Sequence, residues 1–140
     1  MKIHHGGAGM GDSEDLNVGK ILWQDLTVPN AGEIRKFYQK IIGWDCLPED
    51  MDGYNDFHMV LPSTGNSVAG ICHARGVNAD VPPVWLVYIN VENVDESAKL
   101  CQELGGEVIA GPRPMAGGDF CVIRNPAGAI CALYRPPDEI

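Results

Sequence analysis

Residues 23–72 and 86–135 are a faint copy of each other, offset by 63 positions without a gap. The identical pairs are Val28/Val91, Asn30/Asn93, Glu33/Glu96, Lys36/Lys99, Gln39/Gln102, Gly43/Gly106, Asp56/Asp119, Phe57/Phe120, Gly65/Gly128 and Ala69/Ala132. Similar apolar pairs, such as Leu26/Ile89 and Ile41/Leu104, fall between them. A repeat of this length is a whole supersecondary unit used twice, and this constrains the fold more than any single motif does. Two units that cannot each cover their own apolar face are expected to pack together, so the cleft they enclose is the first place to look for function.

Both copies read alike. Ile21–Val28 is an apolar strand stopped by Pro29, and Asn30 with Glu33 reads as a variant capping box. Ile34, Phe37, Tyr38 and Ile41 form one helical stripe, and Gly43 suits the position just past the helix. The second copy gives strand Val84–Val91, cap Asn93 with Glu96, the stripe Ser97, Leu100, Cys101 and Leu104, then Gly105-Gly106. Three short extended segments follow each helix: about Trp44–Pro48, Tyr54–Leu61 and Ser67–His73, then Glu107–Ala110, Asp119–Arg124 and Ala129–Tyr134. The unit is therefore β-α-β-β-β, twice. This gives an α+β domain over 20–136, with modules 20–73 and 84–136 joined by a linker at 74–83. Residues 1–19 stand outside the repeat: Met1–His5 is tag-like, and His4 and His5 offer only adventitious metal binding.

With 19 acidic against 10 basic residues and no Lys/Arg cluster, the chain suits neither a nucleic-acid backbone nor an anionic membrane surface. Its apolar runs fall short of a spanning helix and no signal-peptide pattern is present, so a cytoplasmic location is expected. Five scattered cysteines are odd in number and lack a C-x-x-C pair, which fits buried thiols better than a disulfide framework or a zinc knuckle. No P-loop, Ser-His-Asp order or dinucleotide fingerprint is present.

Phe37-Tyr38 with Gly43-Trp44 after the helix, and Asn125-Pro126-Ala127-Gly128 before the last strand, are similar to the F-Y…F-G-W and D-P-x-G signatures of one family, with Asn in place of Asp. Over about residues 20–136 the chain resembles the vicinal oxygen chelate superfamily: glyoxalase I, bleomycin-resistance proteins and extradiol dioxygenases, and among them the short bacterial glyoxalase-related type. The resemblance implies two tandem modules forming a curled eight-stranded sheet around a cleft, with helices on the outer face. It also implies a frequent homodimer. In the family's metal enzymes a divalent ion is held by residues from the first and last strand of each module.

Counted from Val28, Val91 and Gly128, and carried across the repeat, those positions hold Trp23, Ala69, Leu86 and Ala132. None offers an imidazole, carboxylate or thiolate, so no metal and no cofactor is expected at the family site. Strand alternation places Trp23, Asp25 and Thr27, then Ala69, Ile71 and His73, on the cleft face of the first copy. On the second it places Leu86, Tyr88 and Asn90, then Ile130, Ala132 and Tyr134. Trp23, Asp25, His73, Tyr88, Asn90 and Tyr134 are thus the expected small-molecule contacts, against the plainer reading that the rings fill a core. Asp25 and His73 are weak candidates for an acid/base pair, and His58 is weaker because its strand's facing is open. Arg113 and Met115 sit in a Gly111–Gly118 stretch expected to be a loop at the cleft rim.

The leading expectation is a small-molecule binding protein without the family metal. The alternatives are a lyase, isomerase or dioxygenase with relocated metal ligands, and a non-catalytic subunit of an assembly.

Overall fold

The computed structural model describes residues 16–138. The tail reading at Met1–His5, with its adventitious histidines, lies outside the described residues. Of the described residues, those in Gln24–Leu86 form one compact unit, and those before Gln24 and after Leu86 form the other.

The first module runs β1 (Ile21–Val28), α1 (Ala31–Ile42), β2 (Asp45–Asp50), β3 (Asn55–Val60) and β4 (Ser67–His73). A short 3-10 turn at Gly76–Asn78 leads to the second: β5 (Trp85–Asn90), α2 (Val94–Glu103), β6 (Glu107–Met115), β7 (Gly118–Arg124) and β8 (Ile130–Arg135). The class is α+β with eight strands in two β-α-β-β-β modules, as the repeat implies. Strand order is β2-β3-β4-β1 through the first module and β5-β8-β7-β6 through the second. In each, the first strand lies parallel to the last, and the remaining neighbours are antiparallel.

Each helix covers one face of its own module's strands. Under α1 lie Leu26, Val28, Ala31, Met59, Ala69 and Ile71, with Ile34, Tyr38, Trp44, Phe57 and Trp85 at their margin. Under α2 lie Val94, Ala98, Cys121 and Leu133, with Ile89, Val91, Val108 and Ile123 around them. The expected helical stripes are split. Ile34 and Tyr38 reach the core of the first module, whereas Phe37 and Ile41 are exposed; in the second, Leu100 and Leu104 are exposed as well. The capping differs too. Asn93 Oδ1 accepts from the Glu96 N–H at 3.0 Å, but the Asn30 side chain makes no cap bond. Gly43 ends α1 at φ 92°, and its N–H donates to the Gln39 carbonyl.

The Gly111–Gly118 stretch is not a loop. β6 continues through Arg113 and Met115, paired with Phe120 and Gly118 of β7 across register shifts, and turns at Ala116-Gly117. Both turn residues have positive φ, 50° and 82°, which matches the strand twist in a two-residue hairpin. Pro112 and Pro114 fit because β6 ends the strand order, where one side of the strand needs no ladder donor. At the other antiparallel turn of this module, Asn125 Oδ1 accepts from the N–H groups of Ala127 (2.8 Å) and Ala129 (3.0 Å). Asn therefore does in this turn what an Asp would do.

Candidate functional site

The side-chain facing of the two modules decides what each presents. In the second module, Tyr88 pairs with Ala132 and Asn90 with Tyr134, on the side away from α2. Phe120 and Val122 of β7 join them through their pairing with Tyr134 and Ala132. This agrees with the alternation read from the sequence. Tyr88, Asn90, Tyr134 and Phe120 are all buried. Tyr88 stacks on Phe120 at 6.4 Å and meets Tyr134 edge-on at 6.5 Å, while the Arg113 guanidinium lies over Phe120 at 5.2 Å. The Tyr134 hydroxyl donates to the Ala116 carbonyl at 3.3 Å, and burial, with Asp119 nearby, pushes its pKa up. These rings brace the β6–β7 hairpin.

In the first module the expected facing fails on the last strand. Leu26 pairs with Ile71 and Val28 with His73, so Ala69, Ile71 and His73 share the α1 side with the apolar residues of β1. Asp25 pairs with Gly70 and Thr27 with Cys72 on the opposite side. The equivalent of Ala132 is therefore Gly70, not Ala69. The pairing of β3 with β4 keeps the offset of 63, Phe57 with Ile71 as Phe120 with Tyr134, so the slip lies between β1 and these two strands: Asp25 meets Gly70 where Tyr88 meets Ala132. A one-residue slip sends every side chain of a strand to the other face.

His73 and Asp25 consequently face apart and do not form a dyad. The partner of His73 is Asp56, which sequence reasoning passed over although it is one of the identical repeat pairs. Asp56 is 4% exposed. Its Oδ1 accepts from the His73 backbone N–H at 2.8 Å and contacts His73 Nδ1 at 3.2 Å. Tyr54 meets the imidazole edge-on at 5.3 Å, Phe57 lies tilted to it at 6.3 Å, and the Arg75 guanidinium covers Tyr54 at 3.9 Å.

The side of the first module away from α1 carries a different set. The β2–β3–β4 register puts Leu47, His58 and Gly70 in one row with Asp25. His58 Nε2 and Glu49 Oε1 are 3.1 Å apart. The Cys72 thiol hydrogen-bonds Asp56, and its pKa is driven far up by burial first and then by the carboxylates of Asp25, Asp56 and Glu49. Such a thiol is no nucleophile near neutral pH.

With the corrected register, the family's four ligand positions hold Trp23, Gly70, Leu86 and Ala132. Indole, hydrogen and alkyl groups supply no lone pair to a divalent ion. Among the described residues no three His, Cys, Asp or Glu side chains gather in a way that could hold a metal ion. The residues present do not fit the family's metal. Of the expected contacts, Trp23 and Asp25 are half-buried on β1, while His73 lies on the α1 side.

A family model described as Glyoxalase/Bleomycin resistance protein/Dioxygenase superfamily matches residues 20–131. The "Anthracycline biosynthesis protein DnrV" of Streptomyces peucetius is 28% identical over 130 residues, covering 84% of this chain and 47% of that protein. The "Putative glyoxylase CFP32" of Mycobacterium bovis is 26% identical over 122 residues, covering 86% of this chain and 46% of that protein. The chain thus spans about half the length of these relatives. A methylmalonyl-CoA epimerase from Mycobacterium tuberculosis superposes with a TM-score of 0.51 at 14% identity, covering 89% of this chain and 93% of that one, a likeness of fold alone.

Proposed function

We propose a metal-independent small-molecule binding role for this chain, which belongs to the Glyoxalase/Bleomycin resistance protein/Dioxygenase superfamily. The ligand class we infer is a planar organic molecule bearing a basic group. One observation carries this reading: where the family's metal enzymes place their ligands, this chain has Trp23, Gly70, Leu86 and Ala132, and beside Trp23 on the same strand face stands Asp25. An indole stacks on a planar ring, and a carboxylate pairs with a cation; neither recruits a metal. Of the other expected contacts, Tyr88, Asn90 and Tyr134 are buried within the second module and are not assigned to the ligand. His73 lies on the other face of its module and drops out of the proposed contact set. The relative named for anthracycline biosynthesis is consistent with a role towards a polycyclic aromatic compound.

The test is intrinsic fluorescence titration with planar cationic compounds, alongside neutral and anionic analogues. The chain has three tryptophans, and Trp44 and Trp85 pack together at 6.1 Å on the α1 side. Quenching is expected from Trp23, to vanish in Trp23→Phe, and to weaken about tenfold in Asp25→Asn, the scale of one ion pair. Binding that requires added Zn, Ni, Mn or Fe, or quenching unchanged in Trp23→Phe, would refute the reading. We also propose that the chain acts as a homodimer. The five free cysteines support a reducing compartment, the cytoplasm, and no helix among the described residues is long and apolar enough to cross a membrane.

A further inference from the structure

The outward sides of the two helices repeat one pattern with one change of sign. On α1 the exposed stripe is Glu33, Lys36, Phe37, Lys40 and Ile41; on α2 it is Glu96, Lys99, Leu100, Glu103 and Leu104. Each stripe follows i, i+3, i+4, i+7, i+8, one face of a helix. The apolar members are well out in solvent: Phe37 53%, Ile41 62%, Leu100 53% and Leu104 75% exposed. The half of each helix that packs on its own strands is already supplied by other residues, Ala31, Ile34 and Tyr38 on α1 and Val94 and Ala98 on α2. An exposed Phe–Ile pair and an exposed Leu–Leu pair at matching positions go beyond the scattered single apolar residues of an ordinary surface.

Charge distinguishes the stripes. Lys40 of α1 stands where α2 has Glu103, so the first stripe has two Lys to one Glu and the second two Glu to one Lys. Over the whole helices the contrast widens: Arg35 is added on α1 and Asp95 on α2. A protein with 10 basic residues against 19 acidic ones has few cations to place, and α1 holds three of them. Like stripes repel and unlike stripes attract, so α1 against α1 and α2 against α2 are both disfavoured.

We propose that α1 of one copy docks on α2 of a second copy, Phe37 and Ile41 packing against Leu100 and Leu104 while Lys36 and Lys40 face Glu96 and Glu103. The inference rests on the homodimer reading above and gives it a surface; it is independent of the ligand reading.

The test is charge reversal followed by sedimentation velocity and light scattering across a dilution series. Lys36→Glu with Lys40→Glu is expected to weaken self-association about tenfold or more, and Glu96→Lys with Glu103→Lys to do the same. The four reversals together restore opposite signs and are expected to bring the dissociation constant back to within about threefold of the parent chain, a rescue that loss of a structural contact would not give. All four sites are exposed, so cooperative melting should be kept. If a reversed chain fails to melt cooperatively, Ile41→Lys asks the same question through the apolar pair and is expected to leave a monomer. A parent chain that stays monomeric overturns both the dimer and its surface. A dimer unmoved by the reversals or by Ile41→Lys keeps the dimer and overturns the surface.

Discussion

Removing the Asp56 carboxylate should be the most costly single polar change in the first module. Its Oδ1 accepts two contacts from His73, the backbone N–H at 2.8 Å and Nδ1 at 3.2 Å, and the carboxyl also receives the Cys72 thiol. Hydrogen bonds to a charged acceptor contribute about 1.5–3 kcal/mol each, and an N–H left buried without a partner costs about 1–3 kcal/mol. Against this, Asp56→Ala relieves the desolvation of a carboxylate that is 4% exposed, which returns part of the loss. The expected net cost is about 2–4 kcal/mol. Asp56→Asn keeps an oxygen acceptor for the N–H and should lose about 1–2 kcal/mol; His73→Ala keeps the backbone bond and should lose about 1–1.5 kcal/mol. The assay is urea unfolding of the two single variants and the double variant, with slopes compared to exclude a change in the unfolded state. The cycle should return a coupling of about 1 kcal/mol or more, since the Nδ1 contact is lost only once. An Asp56→Ala cost below about 0.5 kcal/mol, or a coupling near zero, would refute the account of Asp56 as the anchor of His73.

Three further expectations follow from local geometry. Asn93→Ala should cost about 1 kcal/mol in urea unfolding while Asn30→Ala costs a few tenths, because only Asn93 caps its helix with its side chain. Gly118→Ala should cost more than about 2 kcal/mol, since the added carbon would collide with the Arg135 carbonyl oxygen; Gly43→Ala, with open space but φ 92°, should cost only about 1 kcal/mol, and equal melting losses would contradict this. Burial, with Cys101, Cys131 and Asp95 nearby, pushes the Cys121 thiol from 9.0 up to about 11. Because the folded value is raised, the stability from keeping this thiol protonated is complete below pH 9 and is lost as pH rises towards 11. The urea midpoint of the parent chain should therefore fall relative to Cys121→Ala across that window, and a constant difference would count against it.

At the family's ligand positions one of the four expected residues changes. Ala69 lies on the α1 side, because β3 and β4 together are one residue out of step with β1. Gly70, which lies opposite Asp25 in its place, carries no metal donor either. The candidate dyad did not survive, because it depended on which face His73 took. Asp56 was visible as a repeated Asp before a repeated Phe, yet nothing in the spacing says that β3 carries it to the N–H of His73 seventeen residues on. The β6–β7 hairpin was legible in principle: Met115-Ala116-Gly117-Gly118 has the composition of a tight turn, but Pro112 and Pro114 drew attention to a loop.

The amino-acid sequence alone determined the class, the two modules, the bounds of β1 and β4, and both helices. These rest on short-range periodicity, glycine conformations and side-chain chemistry, which travel with the residues themselves. Tertiary structure decided which half of each helical stripe meets the strands, and which face β3 and β4 show. Both depend on the register between strands far apart in the chain. A one-residue slip of β4 against β1 leaves the composition of the repeat untouched, yet it sends His73 to the helix side and Cys72 to the opposite one.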